Sequence, residues 1–166
     1  ATVALELGGT PDGVAAALSA ATPVSRWRME VAERPDGVTV VNDAYNANPE
    51  SMRAGLHAFR AMAGDRRTIA VLGAMGQQAD ASWARHEQVG RLVADLGIDV
   101  LIAVGDDDPR AMARAASAAK VAVHTVEDAA GAARVATELI APGDVVFVKA
   151  SSEYGLGVCA RELAAH

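Results

Sequence analysis

The chain has 166 residues, 51% of them hydrophobic and 22% charged, with a formal net charge of −6. That balance suits one compact domain with its own core and excludes a disordered chain. It also excludes nucleic acid or an anionic membrane as the default partner, because either calls for a basic face, and no apolar run approaches the roughly 20 residues of a bilayer span.

In chain order, residues 2–7 and 11–21 read as short helices broken at Gly8-Gly9, with Thr10 as N-cap and Pro11 in the first helical position. Thr22-Pro23-Val24 reads as a linker. The expected division is therefore 1–22 as the tail of a preceding domain and 23–166 as the main domain. Residues 29–33 and 38–41 flank Pro35-Asp36-Gly37, the signature of a hairpin. A helix is expected from Pro49 to about Met62, capped by Asn48. Apolar strands at 68–72, 100–104, 121–124 and 145–148 then alternate with helices at 83–96, 109–119, 127–140 and 157–163.

Apolar strands separated by helices imply a Rossmann-like, doubly wound α/β fold, its sheet mostly parallel and covered on both faces, with one antiparallel strand from the leading hairpin. Ligands of such sheets collect at the carboxyl ends of the strands. The loops that matter are then 42–48, 73–82, 105–108 and 149–155.

The loop Asn42-Asp43-Ala44-Tyr45-Asn46-Ala47-Asn48 is the richest in chemistry. Asp43 can accept hydrogen bonds from a sugar hydroxyl or orient a cation, and the amides of Asn46 and Asn48 can read the edge of a base. A helix cap with Asx turns accounts for Asn48 equally well. The chain has only two lysines, Lys120 and Lys149, and the second ends a buried strand. His57, His86, His124 and His166 lack metal-ligand spacing, so no metal site is expected; for His86, packing or capping is the favoured role. The single cysteine, Cys159, fits a buried, inert thiol in a reducing cytoplasm.

Asp43-Ala44-Tyr45-Asn46-Ala47-Asn48-Pro49, continued by Glu50-Ser51-Met52, closely resembles the signature of the Mur ligases that attach D-alanyl-D-alanine. Trp27-Arg28-Met29-Glu30-Val31 is similar to the arginine-led strand that opens the family's last domain. Val71-Leu72-Gly73 with Met75, His86 with Val89-Gly90, Pro142-Gly143-Asp144 and Val148-Lys149-Ala150-Ser151 follow in the family's order. The resemblance implies that Arg28 reaches ATP phosphates, that Asp43 contacts the ribose, and that Asn46 and Asn48 lie beside adenine. It implies that Tyr45, Lys149, Ser151 and Ser152 face the incoming dipeptide. It also implies an ATP- and Mg2+-dependent ligase acting on a UDP-N-acetylmuramoyl-tripeptide. Its amino-terminal and central domains hold the precursor, the phosphate loop and the metal; no G-x-x-x-x-G-K-[ST] run occurs in this sequence. This chain alone is then expected to be inactive.

Two departures stand out. The family's acidic residue after the glycine of the third strand and its later E-L-G stretch are replaced by Ala74-Met75-Gly76-Gln77-Gln78-Ala79-Asp80, and Ser152-Glu153 stands where an arginine is usual. Glu153 is expected to point away from a substrate carboxylate, or to be offset by another cation. Alternatives are another Mur or folylpolyglutamate ligase, a receiver-like signalling domain with Asp43 as acceptor, and a dinucleotide site at Gly155-Leu156-Gly157. The last lacks the second strand and the acidic residue that such a site needs.

Overall fold

A computed structural model describes residues 2–20, 25–76, 82–119 and 121–165. Two helices open it, α1 (Thr2–Glu6) and α2 (Pro11–Ala20), neither with a buried residue. The linker expected at 22–24 lies outside the described residues. The hairpin follows as β1 (Glu30–Glu33) and β2 (Thr39–Asn42), paired antiparallel with Val31 opposite Val41.

Alternation then runs through α3 (Pro49–Ala63), β3 (Thr68–Gly73), α4 (Ser82–Asp95), β4 (Val100–Val104), α5 (Asp107–Ser117), β5 (Ala122–Val126), α6 (Ala129–Leu139), β6 (Val145–Lys149) and α7 (Leu156–Ala165). The six strands lie in the order β1-β2-β6-β3-β4-β5, and every pairing except β1 with β2 is parallel. β6 is thus central: Val41 and Ala70 flank Phe147 from its two sides.

Strand alternation divides the core into two layers. On one face Val41, Ala70, Leu72, Val145 and Phe147 meet Met52, Leu56 and Phe59 of α3, Val93 of α4 and Met112 of α5. On the other, Val40, Val71, Val146 and Val148 meet Ala132 and Ala136 of α6 and Leu156, Cys159 and Leu163 of α7. β2, β3, β4 and β6 are buried along their whole length, and cover on both faces explains why their interiors are apolar rather than alternating. β5, at the sheet edge, is half exposed.

Helix chemistry accounts for the ends. Asn48 caps α3: its Oδ1 accepts the Ser51 amide at 2.8 Å, and Ser51 Oγ accepts the Asn48 amide at 3.0 Å, a closed capping box with Pro49 in the first turn. α5 begins at Asp107, two residues before the expected Pro109. The first turn needs no proline N–H, so Pro109 fits inside it while Asp107 and Asp108 oppose the helix dipole. The strand expected from residue 29 begins one residue later, because Trp27 and Met29 adopt φ of 60° and 49°. Arg28 therefore sits in a tight left-handed turn and not in a strand.

Candidate functional site

Three loops leave the carboxyl ends of β2, β3 and β6 and are bound to one another. The Asp43 amide donates to Val148 O at 2.9 Å, the Ser151 amide to Ala74 O at 3.1 Å, and the Gly76 amide to Ala47 O at 3.2 Å. Residues 43–48, 74–76 and 149–151 therefore form a single rim. Beside it, Asp108 in the first turn of α5 accepts a hydrogen bond at Oδ2 from Ser82 Oγ at the start of α4.

Beneath the rim lies a buried ion pair. Lys149 extends from the end of β6 on the α3 face, 2% exposed, and its Nζ lies 2.5 Å from Asp43 Oδ2. The same ammonium donates to Asn46 O at 2.8 Å and to Asp43 O at 3.4 Å. With three acceptors and almost no solvent contact, it fixes the 43–46 loop from below. All three of its hydrogen-bond partners belong to that loop. The helix above makes room for the pair: a Cβ at Gly55 would come 2.8 Å from Phe147 Cζ, 3.4 Å from Lys149 Cδ and 3.5 Å from Asp43 Oδ2.

Asp43 is bound from its other side as well, its Oδ1 accepting the Met29 amide at 3.1 Å. Each carboxylate oxygen keeps a second lone pair, so a hydroxyl donor can still be accepted. The Trp27 carbonyl accepts the Tyr45 amide at 3.1 Å, closing the 27–29 turn onto the same loop. This brings the exposed Arg28 guanidinium 4.1 Å from the centroid of the Tyr45 ring, a cation–π contact on the open face of the rim. Asn46 and Ser152 are exposed and Asn48 and Ser151 half-buried. Asn48 spends its carbonyl oxygen on the cap of α3, which leaves its Nδ2 group as donor.

Arg28, Asp43, Tyr45, Asn46, Asn48, Lys149, Ser151 and Ser152 all fall on or directly beneath this rim. Glu153 does not point away from it: a Cβ at Gly76 would stand 2.9 Å from Ser151 Oγ and 3.6 Å from Glu153 Oε1. The replaced stretch at 77–80 lies outside the described residues. Among the described residues no three histidine, cysteine, aspartate or glutamate side chains gather as a metal site, and no helix is long and apolar enough to cross a membrane.

The Gly155-Leu156-Gly157 run has a different explanation from a dinucleotide loop. Gly155 takes φ of 67° to end the 3-10 turn Ser152–Tyr154. Gly157 receives the Trp27 indole, which a Cβ would approach to 2.5 Å. Sequence reasoning gave Trp27 no role. Its signal was the alignment with an opening strand, which shows that the segment matters but not that it packs on α7. Burial holds the Cys159 thiol up at about 12, with the Glu162 carboxylate adding to it. A thiol so protonated is inert.

The family model described as "Mur ligase, glutamate ligase domain" matches residues 27–152. The UDP-N-acetylmuramoyl-tripeptide–D-alanyl-D-alanine ligase of Mycobacterium tuberculosis is 44% identical over a gapped alignment of 185 positions that covers 99% of this chain and 36% of that protein. A crystal structure of MurF from Acinetobacter baumannii superimposes with a TM-score of 0.79 at 25% identity, over 98% of this chain and 35% of that one. MurF from Thermotoga maritima, solved in complex with ADP, shares the fold, with a TM-score of 0.77 at 24% identity over 99% of this chain and 36% of that one. The chain thus spans about a third of the length of the relatives that it matches.

Proposed function

This chain belongs to the Mur ligase family, and we propose that it is the carboxy-terminal domain of a ligase that adds D-alanyl-D-alanine to a UDP-N-acetylmuramoyl-tripeptide. In this reading residues 1–22 are the tail of the central ATPase domain and 23–166 the closing domain. Val3 and Leu5 of α1, Leu18 of α2 and Leu7 between them are exposed, as expected of helices whose packing partner is another domain. The enzyme works in the cytoplasm, where its nucleotide-linked precursor is made, and its Mg2+ and phosphate loop belong to the central domain.

The observation that carries the reading is the rim, where the ends of three parallel strands are joined by hydrogen bonds and stand on the Asp43–Lys149 pair. Its nucleotide half has Arg28 for the ATP phosphates, Asp43 for a ribose hydroxyl, and Asn46 and Asn48 for the adenine edge. Its other half, with Tyr45, Ser151 and Ser152, borders the dipeptide. Lys149 serves that half by holding the loop against β6.

The reaction needs little else from this domain. The tripeptide carboxylate takes the γ-phosphoryl group of ATP. The dipeptide amine then forms the new C–N bond as the C–O bond to phosphate breaks, releasing inorganic phosphate and a proton. Positioning the amine and stabilising the oxyanion are the contributions that a closing rim can make. The asparagine-rich loop favours the dipeptide over a single amino acid as the incoming group.

The test uses the full-length ligase. Arg28→Ala and Asp43→Ala are each expected to raise the KM for ATP or lower kcat at least about tenfold, equivalent to about 1.4 kcal/mol. Unchanged kinetics in both removes the nucleotide assignment. Preference for meso-diaminopimelate or glutamate over D-alanyl-D-alanine removes the dipeptide assignment.

A further inference from the structure

His86 lies in the first turns of α4, wholly buried and with no part in the site described above. Both of its ring nitrogens are engaged. The Met75 amide donates to Nε2 at 3.0 Å, and Nδ1 lies 2.8 Å from the Ser82 carbonyl oxygen. An amide N–H can be accepted only by an unprotonated nitrogen and a carbonyl can be bonded only by a protonated one, so the ring is neutral with its proton on Nδ1. The Asp108 carboxylate, 4.0 Å from Nδ1 and bonded to Ser82 Oγ, favours the same tautomer.

Met75 and Ser82 stand on either side of residues 76–81, the connection between β3 and α4. One imidazole therefore links the segment that follows β3 to the first turn of α4. Its platform is rigid, because Gly90 lets α4 meet α5 so closely that a Cβ there would lie 2.1 Å from Met112 O. The 74–76 segment around Met75 carries two of the three bonds that join the rim, Ser151 N–H to Ala74 O and Gly76 N–H to Ala47 O. Met75 is itself buried, so without the imidazole its amide would be a buried donor with no acceptor, and the segment would shift to satisfy it.

We propose that His86 is a positioning residue for the amino-component half of the site: as the neutral Nδ1–H tautomer it staples the 74–76 segment against Ser151, and so sets the affinity for the incoming dipeptide. The proposal rests on the ligase reading for its dipeptide part and on geometry alone for the staple.

Two arms separate these. On the 166-residue chain, 15N spectra of the imidazole are expected to show protonated Nδ1 and acceptor Nε2, with the Met75 amide strongly protected from hydrogen exchange; a proton on Nε2 or a fast-exchanging Met75 amide overturns the staple. On the full-length ligase, His86→Leu is expected to raise the KM for D-alanyl-D-alanine at least about tenfold while the KM for ATP moves less than about threefold. His86→Gln, whose carbonyl oxygen can accept the Met75 amide, is expected to restore most of that loss. An equal rise in both KM values, or failure of Gln to outperform Leu at matched thermal stability, overturns the positioning role. A wild-type enzyme that does not use the dipeptide overturns the ligase reading and the dipeptide part with it, while the spectra still decide the staple.

Discussion

Replacing Lys149 by methionine removes the cation beneath the rim and keeps most of its length. Asp43 then loses a charged partner at 2.5 Å and keeps one neutral donor, the Met29 amide, while the Asn46 carbonyl loses its donor. Breaking one side of a buried pair destabilises by about 3–5 kcal/mol. The Asp43 side chain is 15% exposed, so water can reach the stranded carboxylate and the lower end, about 3 kcal/mol, is expected. A domain of this size loses about 2–4 °C for each kcal/mol, which places the fall in Tm at about 6–12 °C. Urea unfolding of the 166-residue chain measures the change, with an unaltered slope if the loss is local. The control is a double-mutant cycle with Asp43→Asn. The double variant has no stranded charge and is expected to be more stable than the sum of the single losses by about 1.5–3 kcal/mol. A loss below about 1 kcal/mol for Lys149→Met, or strict additivity in the cycle, refutes the pair as the support of the loop.

Asn48→Ala opens the capping box of α3 and is expected to destabilise by about 1 kcal/mol, read by urea unfolding. Gly157→Ala drives a methyl group into the Trp27 indole and is expected to destabilise by about 1–3 kcal/mol, with a red-shifted tryptophan emission as the ring is displaced. Cys159 is expected to resist iodoacetamide at pH 8 in the folded chain and to react once urea unfolds it. Because the folded thiol is held at about 12 against 9.0 for a free one, the unfolded chain loses its proton first, and stability is expected to fall as pH rises from 9 towards 12.

Much of the architecture was legible because it rests on local signals. Pro35-Asp36-Gly37 announced the hairpin, Asn48-Pro49 the start of α3, and the largely apolar runs the central strands. The order of the strands was not, since β6 pairs with β2 and β3 from more than 70 residues away and no local pattern encodes that. The site divided in the same way. Its residues were named from motifs, but their tasks depend on contacts across the fold. Lys149 ended an apolar strand, which marked it as unusual; that it is saturated by Asp43 and Asn46 required the return of β6 beside β2. The left-handed turn at 27–29 escaped because its residues are poor candidates for positive φ and adopt it only when Asp43 and Tyr45 are there to bond them. His86 had a motif and no visible partner, because its acceptor role is completed by the Met75 amide, 11 residues earlier.

The middle position of the last strand has a consequence for biosynthesis. While residues 145–149 are still in the ribosomal tunnel, the hairpin and the β3-β4-β5 block each present an open edge at the place where β6 will lie, with apolar flanks suited to self-association. The two blocks become one sheet only when β6 emerges, and the lysine that anchors the rim arrives in that same strand. A polypeptide lacking residues 145–149 would have neither a joined sheet nor a site. Copies without β6 expose the inner edges of β2 and β3, which the complete sheet covers.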